Sequence, residues 1–230
     1  MKKYDLPSRE QCFDILNDCH APAHIVRHCE SAAKVGVFLA DRLNEKGITV
    51  DVELVDRACL LHDVLRVCGV RDYSGFDPPP SDEDRAKWER LRAEYGAVHH
   101  EEAACRLLTE KCGYPELGRA VKSHKYRAIL DERERPKTWE EKLVYYADKR
   151  VMHDRIVTLK ERLDEVHRRH AGRRGSAGRS QIDNEQIDAL IFELEREIFE
   201  KIGLEPNEVI EEFIDSYGGR TRRNSESSMG

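Results

Sequence analysis

Residues Ala58 to Arg66 read Ala-Cys-Leu-Leu-His-Asp-Val-Leu-Arg, an apolar run with an imidazole and a carboxylate side by side at its centre. The positions Leu54, Val55, Ala58, Leu61, His62 and Leu65 leave almost no polar face, and a helix that is apolar around most of its circumference is a buried one. An ionised carboxylate in such a helix is costly unless it is paired or bound to a metal. Together His62 and Asp63 offer one nitrogen and two oxygens to one region of space, donors that suit zinc, iron, manganese or nickel. On these two residues alone, a hydrogen bond to each other or to the backbone is an equally good account.

The rest of the chain is rich in Leu, Ala, Glu, Lys and Arg and poor in β-branched runs, which predicts an all-α protein. Its 230 residues suffice for one large domain, or a domain with an appendage. The net charge of −6 argues against binding to a nucleic-acid scaffold, while leaving room for a local basic pocket that takes a nucleotide. The N-terminus lacks the apolar stretch of a signal peptide, and no run reaches membrane-spanning length, so no membrane partner is expected. Seven scattered cysteines, with no CxxC pair, fit reduced thiols in a cytoplasmic protein.

Taken in order, the periodicity predicts a short helix over Pro7 to His20, then a long one over Ala23 to Lys46 that Gly47 ends. His28 lies in the apolar stripe of the long helix. A buried helix follows from Val52. Gly69 to Asp84, with three consecutive prolines, is a loop of the length that often serves as a functional lid. Helix resumes over Arg85 to Lys111 with a break at Gly96, and again from Pro115 to about Tyr126. A long helix is expected over Thr138 to His170, its charged second half, from Lys160 to Arg174, standing out in solvent. The expected organisation is a domain over 1–170, a flexible linker over 171–181, a helical appendage over 182–217 that offers a homodimer contact, and a disordered tail over 218–230.

Six residues stand out on this frame. His28, His62 and Asp63 lie on inward faces. His100 shares a face with Ala103, Ala104, Leu107 and Leu108, whereas His99 points to solvent. His124 follows Leu117, Ala120 and Val121 at helical spacing, and Asp148 lies between Val144 and Val151. Four imidazoles and two carboxylates thus face one core from five helical segments. Either each has its own hydrogen-bonded partner, or a metal centre satisfies them together. Six ligands exceed what one zinc with an open position takes, and suit two metals bridged by a carboxylate.

A histidine on one helix, an adjacent His-Asp on the next and a distant aspartate resemble the HD-domain superfamily of metal-dependent phosphohydrolases. The segments from Ala21 to His28, Ala58 to Arg66, His100 to Leu108, Gly113 to Leu117 and Tyr145 to Lys149 are similar to that family's blocks and stand in its order, over about residues 20–165. The resemblance implies a compact multi-helix bundle around a metal centre. His28, His62, Asp63 and Asp148 would hold one metal, and His100 and His124 a second one bridged through Asp63. The ions would be divalent or transition metals drawn from Fe, Mn, Zn, Ni, Co or Mg. Val64-Leu65-Arg66 follows the aspartate where cyclic-dinucleotide members have Ile-Gly-Lys, so the cation is kept and the glycine lost.

The activity implied is hydrolysis of a nucleotide or another small phosphorylated metabolite by a metal-activated hydroxide, with Asp63 and Arg66 as catalytic residues. Arg66, one turn beyond the His-Asp pair, would clamp a phosphate. The same ligand set also leaves open a mixed-valent diiron oxygenase, and a non-catalytic regulatory module in which the metal is structural.

Overall fold

A computed structural model describes residues 4–171 and 179–217. The chain opens with α1 (Arg9–Asp18), α2 (Ala23–Glu45) and α3 (Val52–Leu61), continues through α4 (Asp82–Tyr95), α5 (His100–Arg106), α6 (Pro115–Lys122) and α7 (Trp139–Asp148), turns through a hairpin of β1 (Val151–Met152) and β2 (Arg155–Ile156), and ends in α8 (Leu159–Ala171) and α9 (Arg179–Ile202). Residues 211–217 form a last helical stretch. The protein is an all-α bundle, and the hairpin is the only sheet among the described residues.

Local sequence sets the helix starts. Ser8 with Gln11, Ser81 with Asp84 and Thr138 with Glu141 each close a reciprocal capping box, and Asp51 accepts from the amides of Glu53 and Leu54. Gly47, at φ +80, takes the left-handed turn that follows α2. The core is the packing of α2 on α3, with α7 laid against both. Gly36 permits that approach: a Cβ there would come within 2.9 Å of both Cys59 Sγ and Val55 Cγ1. All seven cysteines are free thiols, five of them buried. No described helix is long and apolar enough to cross a membrane.

Three expectations need correction. The apolar helix around the His-Asp pair stops at Leu61, and His62 to Leu65 form a turn that leads into a 3-10 stretch over Arg66–Gly69. The helix expected over Thr138 to His170 is two helices split by the hairpin. Val151 and Ile156 stand five apart, off the three-and-four spacing of a helical stripe, and the β-branched Val151, Ile156 and Val157 are at home in extended backbone. His153, at φ +60, makes the turn between the strands. The charged stretch from Lys160 does not stand clear of the protein either: Leu163 of α8 is buried, and one face of the helix covers a cavity in the bundle.

The loop after Gly69 packs Tyr73 and Phe76 against Trp88 of α4. Its last residues belong to α4, which starts at Asp82. The apolar face of the appendage meets its own chain: Ile187, Ile191 and Ile198 are buried, α9 contacts α2 and α7, and Phe199 meets Tyr146 edge to face. Of the linker expected over 171–181, residues 172–178 lie outside the described residues, as does the whole tail over 218–230.

Arg150 ties the end of α7 to the hairpin and to the segment beyond α9. Its guanidinium is buried and donates to the carbonyls of Val157, Pro206 and Val209 and to the Tyr146 hydroxyl. Each donor group of a fully buried cation is thereby matched to an oxygen.

Candidate metal centre

The six residues singled out in the sequence converge. His62 caps the C-terminus of α3 and Asp63 follows it; His124 lies just beyond α6, and Asp148 is the last residue of α7. Helix C-termini leave carbonyls without intrahelical partners. Two of these are used in the same way. His62 Nδ1 donates to the Cys59 carbonyl at 2.7 Å, and His124 Nδ1 donates to the Val121 carbonyl at 2.6 Å, in each case three residues back. His28, from α2, donates its Nδ1 proton to the carbonyl of His153 at 2.8 Å. A carbonyl only accepts, so each of these rings carries its proton on Nδ1 and turns the Nε2 lone pair inward.

His28, His62 and Asp63 each place a donor atom within 4.8 Å of the others, and Asp63, His100 and His124 do the same. Asp63 belongs to both groups. Its Oδ1 is 3.0 Å from His100 Nε2 and 3.6 Å from His124 Nε2, while Oδ2 is 3.8 Å from His62 Nε2. Asp148 Oδ1 lies 3.2 Å from His28 Nε2 and 3.6 Å from His62 Nε2. Its Oδ2 accepts from Lys149 Nζ at 2.9 Å, and that ammonium also donates to the His124 carbonyl.

These donors fit a cation better than they fit one another. His62 Nε2 and Asp63 Oδ1 are buried with no aligned hydrogen-bond partner, despite the short distances around them. His100 Nε2 and His124 Nε2 face each other at 3.3 Å. His124 has its proton on the far nitrogen, so its Nε2 offers a lone pair toward His100 or toward a cation between the two rings. Arg66 Nη1, 2.9 Å from His100 Nε2, brings one cationic group to that edge. Nitrogen and carboxylate donors in this mixture suit a divalent transition metal.

The charges point the same way. Burial is the largest influence on Asp63 and on Asp148 and opposes their ionisation. Arg66, His62, His100 and His124 around Asp63, and Lys149, His28 and His62 around Asp148, outweigh it and hold both carboxyls well below the usual range. For His62, burial disfavours the cation, but Cys29, Asp63 and Asp148 together raise its pKa well above the ordinary value. In the metal-free chain, then, those neighbours favour a proton on His62. His124 is lowered, chiefly by burial.

The cluster opens into a cavity of about 300 Å³ lined by His28, Asp63, His100, His124 and Asp148, with Arg66, Glu101, Tyr126 and Lys149 around them. Its far wall is α8, through Arg162, Leu163, Val166 and Arg169. Arg66 is where the sequence suggested, at the rim, and half-exposed. Two features were not legible. Glu101 is buried, with Oε2 3.3 Å from His100 Nδ1 and no aligned partner; two consecutive glutamates in a helix's first turn read as solvated charge complementing its dipole. The α8 wall was hidden by its charge. The Gly69–Asp84 loop, whose length suggested a functional lid, contributes no residue to this cavity lining.

The family profile described as HD domain matches residues 25–152. Among curated proteins, the tRNA (cytidine(56)-2'-O)-methyltransferase of Picrophilus torridus is 27% identical over 175 residues, which are 72% of this chain and 42% of that relative. The chain therefore spans less than half the length of the curated relative it matches. No solved structure matches the chain.

Proposed function

We propose, from the premise that the chain belongs to the HD domain family, that it is a metal-dependent phosphohydrolase acting on a nucleotide or another small phosphorylated metabolite. One observation carries this reading: two donor groups share Asp63 in a cavity that Arg66 also lines, so cation-binding and anion-binding groups face the same space. His28, His62, Asp63 and Asp148 would hold one cation, and Asp63, His100 and His124 a second. Cations there would supply Lewis acidity toward a water molecule and the phosphoryl oxygens.

The chain's own residues do the rest. Hydrolysis breaks the bond from phosphorus to the leaving oxygen, forms one to the oxygen of water, and delivers a proton to the leaving group. Asp63 and Asp148, held ionised, accept hydrogen bonds from the attacking water and fix its direction. Lys149 keeps Asp148 Oδ2 occupied, which leaves Oδ1 facing His28 and His62. The Arg66 guanidinium offers a planar fork to a phosphoryl oxygen and counters the negative charge that builds in the transition state. The methyl transfer named for the relative belongs to a protein more than twice as long as the matched span and is not carried over.

The test is phosphate release from a panel of nucleotides, dinucleoside polyphosphates and sugar phosphates, each with Mn, Ni, Co, Fe, Zn or Mg added. Release by the unaltered chain and none by a folded Asp63→Ala variant is expected. Full release by that variant overturns the reading.

A further inference from the structure

The α8 wall brings two arginines to the cavity. Arg162, Val166 and Arg169 lie at spacings of four and three and so share one helix face, which closes the cavity opposite the histidine cluster. Glu165 is the acid between the two arginines. Its Oε2 accepts from Arg162 Nη1 and from Arg169 Nη2, both at 2.8 Å, and its Oε1 lies 2.5 Å from Arg169 Nε. Among the described residues, one carboxylate thus serves two guanidiniums. Arg162 Nε is buried with no hydrogen-bond partner.

Asp63 and Asp148 have Arg66 and Lys149 beside them, and the third carboxylate of the lining, Glu101, faces His100, so none of the three is paired with the α8 arginines. The wall is also held in place. Asp188 of α9 takes the Tyr126 hydroxyl at 3.2 Å on one oxygen and His167 Nε2 at 2.6 Å on the other, which ties α8 to Tyr126 in the cavity lining. Two guanidiniums that share one carboxylate line the same cavity as the metal-suited cluster, and Arg162 keeps a buried N–H without a partner.

We propose that Arg162 and Arg169 bind an anionic group of the substrate other than the one that reacts. The substrate class is then a phosphate ester that bears a second phosphate at a distance set by the width of the cavity. This inference rests on the phosphohydrolase reading and narrows it. Glu165 holds the two side chains in register until the second phosphate engages their remaining N–H groups, which the forked geometry of arginine suits.

A chemical ruler tests it. Binding of alkanediol bisphosphates, from propane-1,3-diol to hexane-1,6-diol bisphosphate, is compared by calorimetry with binding of the matching alkyl monophosphates, on the full chain with and without Mn²⁺. One length is expected to bind at least about tenfold more tightly than its monophosphate, as two charge-assisted hydrogen bonds would give. In the Arg162→Gln/Arg169→Gln double variant the gap should close to within about twofold. Glu165→Gln, which keeps both arginines and removes their competitor, should widen the gap; a gap that closes there as well shows that the three residues serve only to hold α8, and overturns the proposal. So does the absence of any length preference, or a preference that survives the double variant. Binding and turnover fail separately. A bisphosphate preference with no phosphate release from any ester leaves the subsite and removes the hydrolase. Release from monophosphates with no such preference does the reverse, and a chain that binds neither series overturns both.

Discussion

The carbonyl of His153 accepts the Nδ1 proton of His28 at 2.8 Å, so a two-residue hairpin turn sets the direction of an imidazole 125 positions earlier in the chain. Ser31, one turn along α2 from His28, donates to the neighbouring carbonyl of Asp154 at 2.7 Å and pins the same turn to the same helix. His153 sits at φ +60, where β-branched residues are strained and glycine is not. His153→Val is expected to cost about 1–2 kcal/mol in urea unfolding and to weaken metal binding, whereas His153→Gly should bind metal as the unaltered chain does. Equal behaviour of the two variants would separate the turn from the orientation of His28.

Asp63 is common to both donor groups, and His124 belongs to one. Metal analysis of the purified chain should give two ions per chain, falling to one in His124→Ala and below one in Asp63→Ala. Phosphate release should fall by more than about a hundredfold in the aspartate variant. A coupled mixed-valent iron resonance with substrate-dependent oxygen uptake would instead assign the centre to oxygen chemistry.

Glu101 stands behind His100 as a carboxylate stands behind a metal-binding imidazole in many metal sites. Glu101→Gln keeps the shape and removes the charge. It should lower affinity at the His100–His124 position by about 10–100-fold and leave the position built on His28 and His62 unchanged, which a two-site metal titration resolves.

Gly36 lets α2, which carries His28, lie close against α3, which presents His62. In Gly36→Ala the new methyl meets Cys59 and Val55 at 2.9 Å, and the helices must part. A loss of about 1–3 kcal/mol in stability is expected, together with weaker metal binding. Thermal unfolding with and without a chelator reads both.

Stability should depend on pH differently with and without metal. The folded pKa of His62 lies well above its unfolded value. Its contribution is therefore complete below about pH 6.5, the ordinary imidazole value, and is lost as pH rises toward the folded one. The lowered His124, Asp63 and Asp148 are deprotonated in both states above pH 7 and add no slope there. In chelator, the melting temperature should fall between about pH 7 and pH 8; with metal bound the proton on His62 is replaced and the fall should disappear. A chelated chain that melts at the same temperature across that range would show that His62 does not carry that proton.

The convergence of the six residues was legible because helical spacing fixes which face a side chain takes, and it put four imidazoles and two carboxylates on inward faces of one core. The residues come together even though His62 caps α3 and His124 lies just beyond α6, since the first residues past a helix still share the face of its last turn. The hairpin was not legible: two-residue strands are too short to show a period, no glycine or proline marks the turn between Val151 and Ile156, and only the buried Arg150 and the left-handed His153 reveal it. The pocket wall was missed for a different reason. Arg162, Glu165 and Arg169 form a ladder at spacings of three and four, which on an isolated helix is the pattern of a solvated face. Only contacts distant in sequence, through Leu163 and Asp188, bring that face over the cavity.

Arg150 gives the far end of the chain a hold on the chemistry. The carbonyls of Pro206 and Val209 receive a guanidinium that begins two residues after Asp148. A chain cut before Pro206 would strand that cation in the interior with half its acceptors gone, and the helix end that aims Asp148 would be the first thing to loosen. The apparent trailing segment is the anchor of a ligand, so the protein trimmed to its family-matched region should be a poor metal binder even where it still folds.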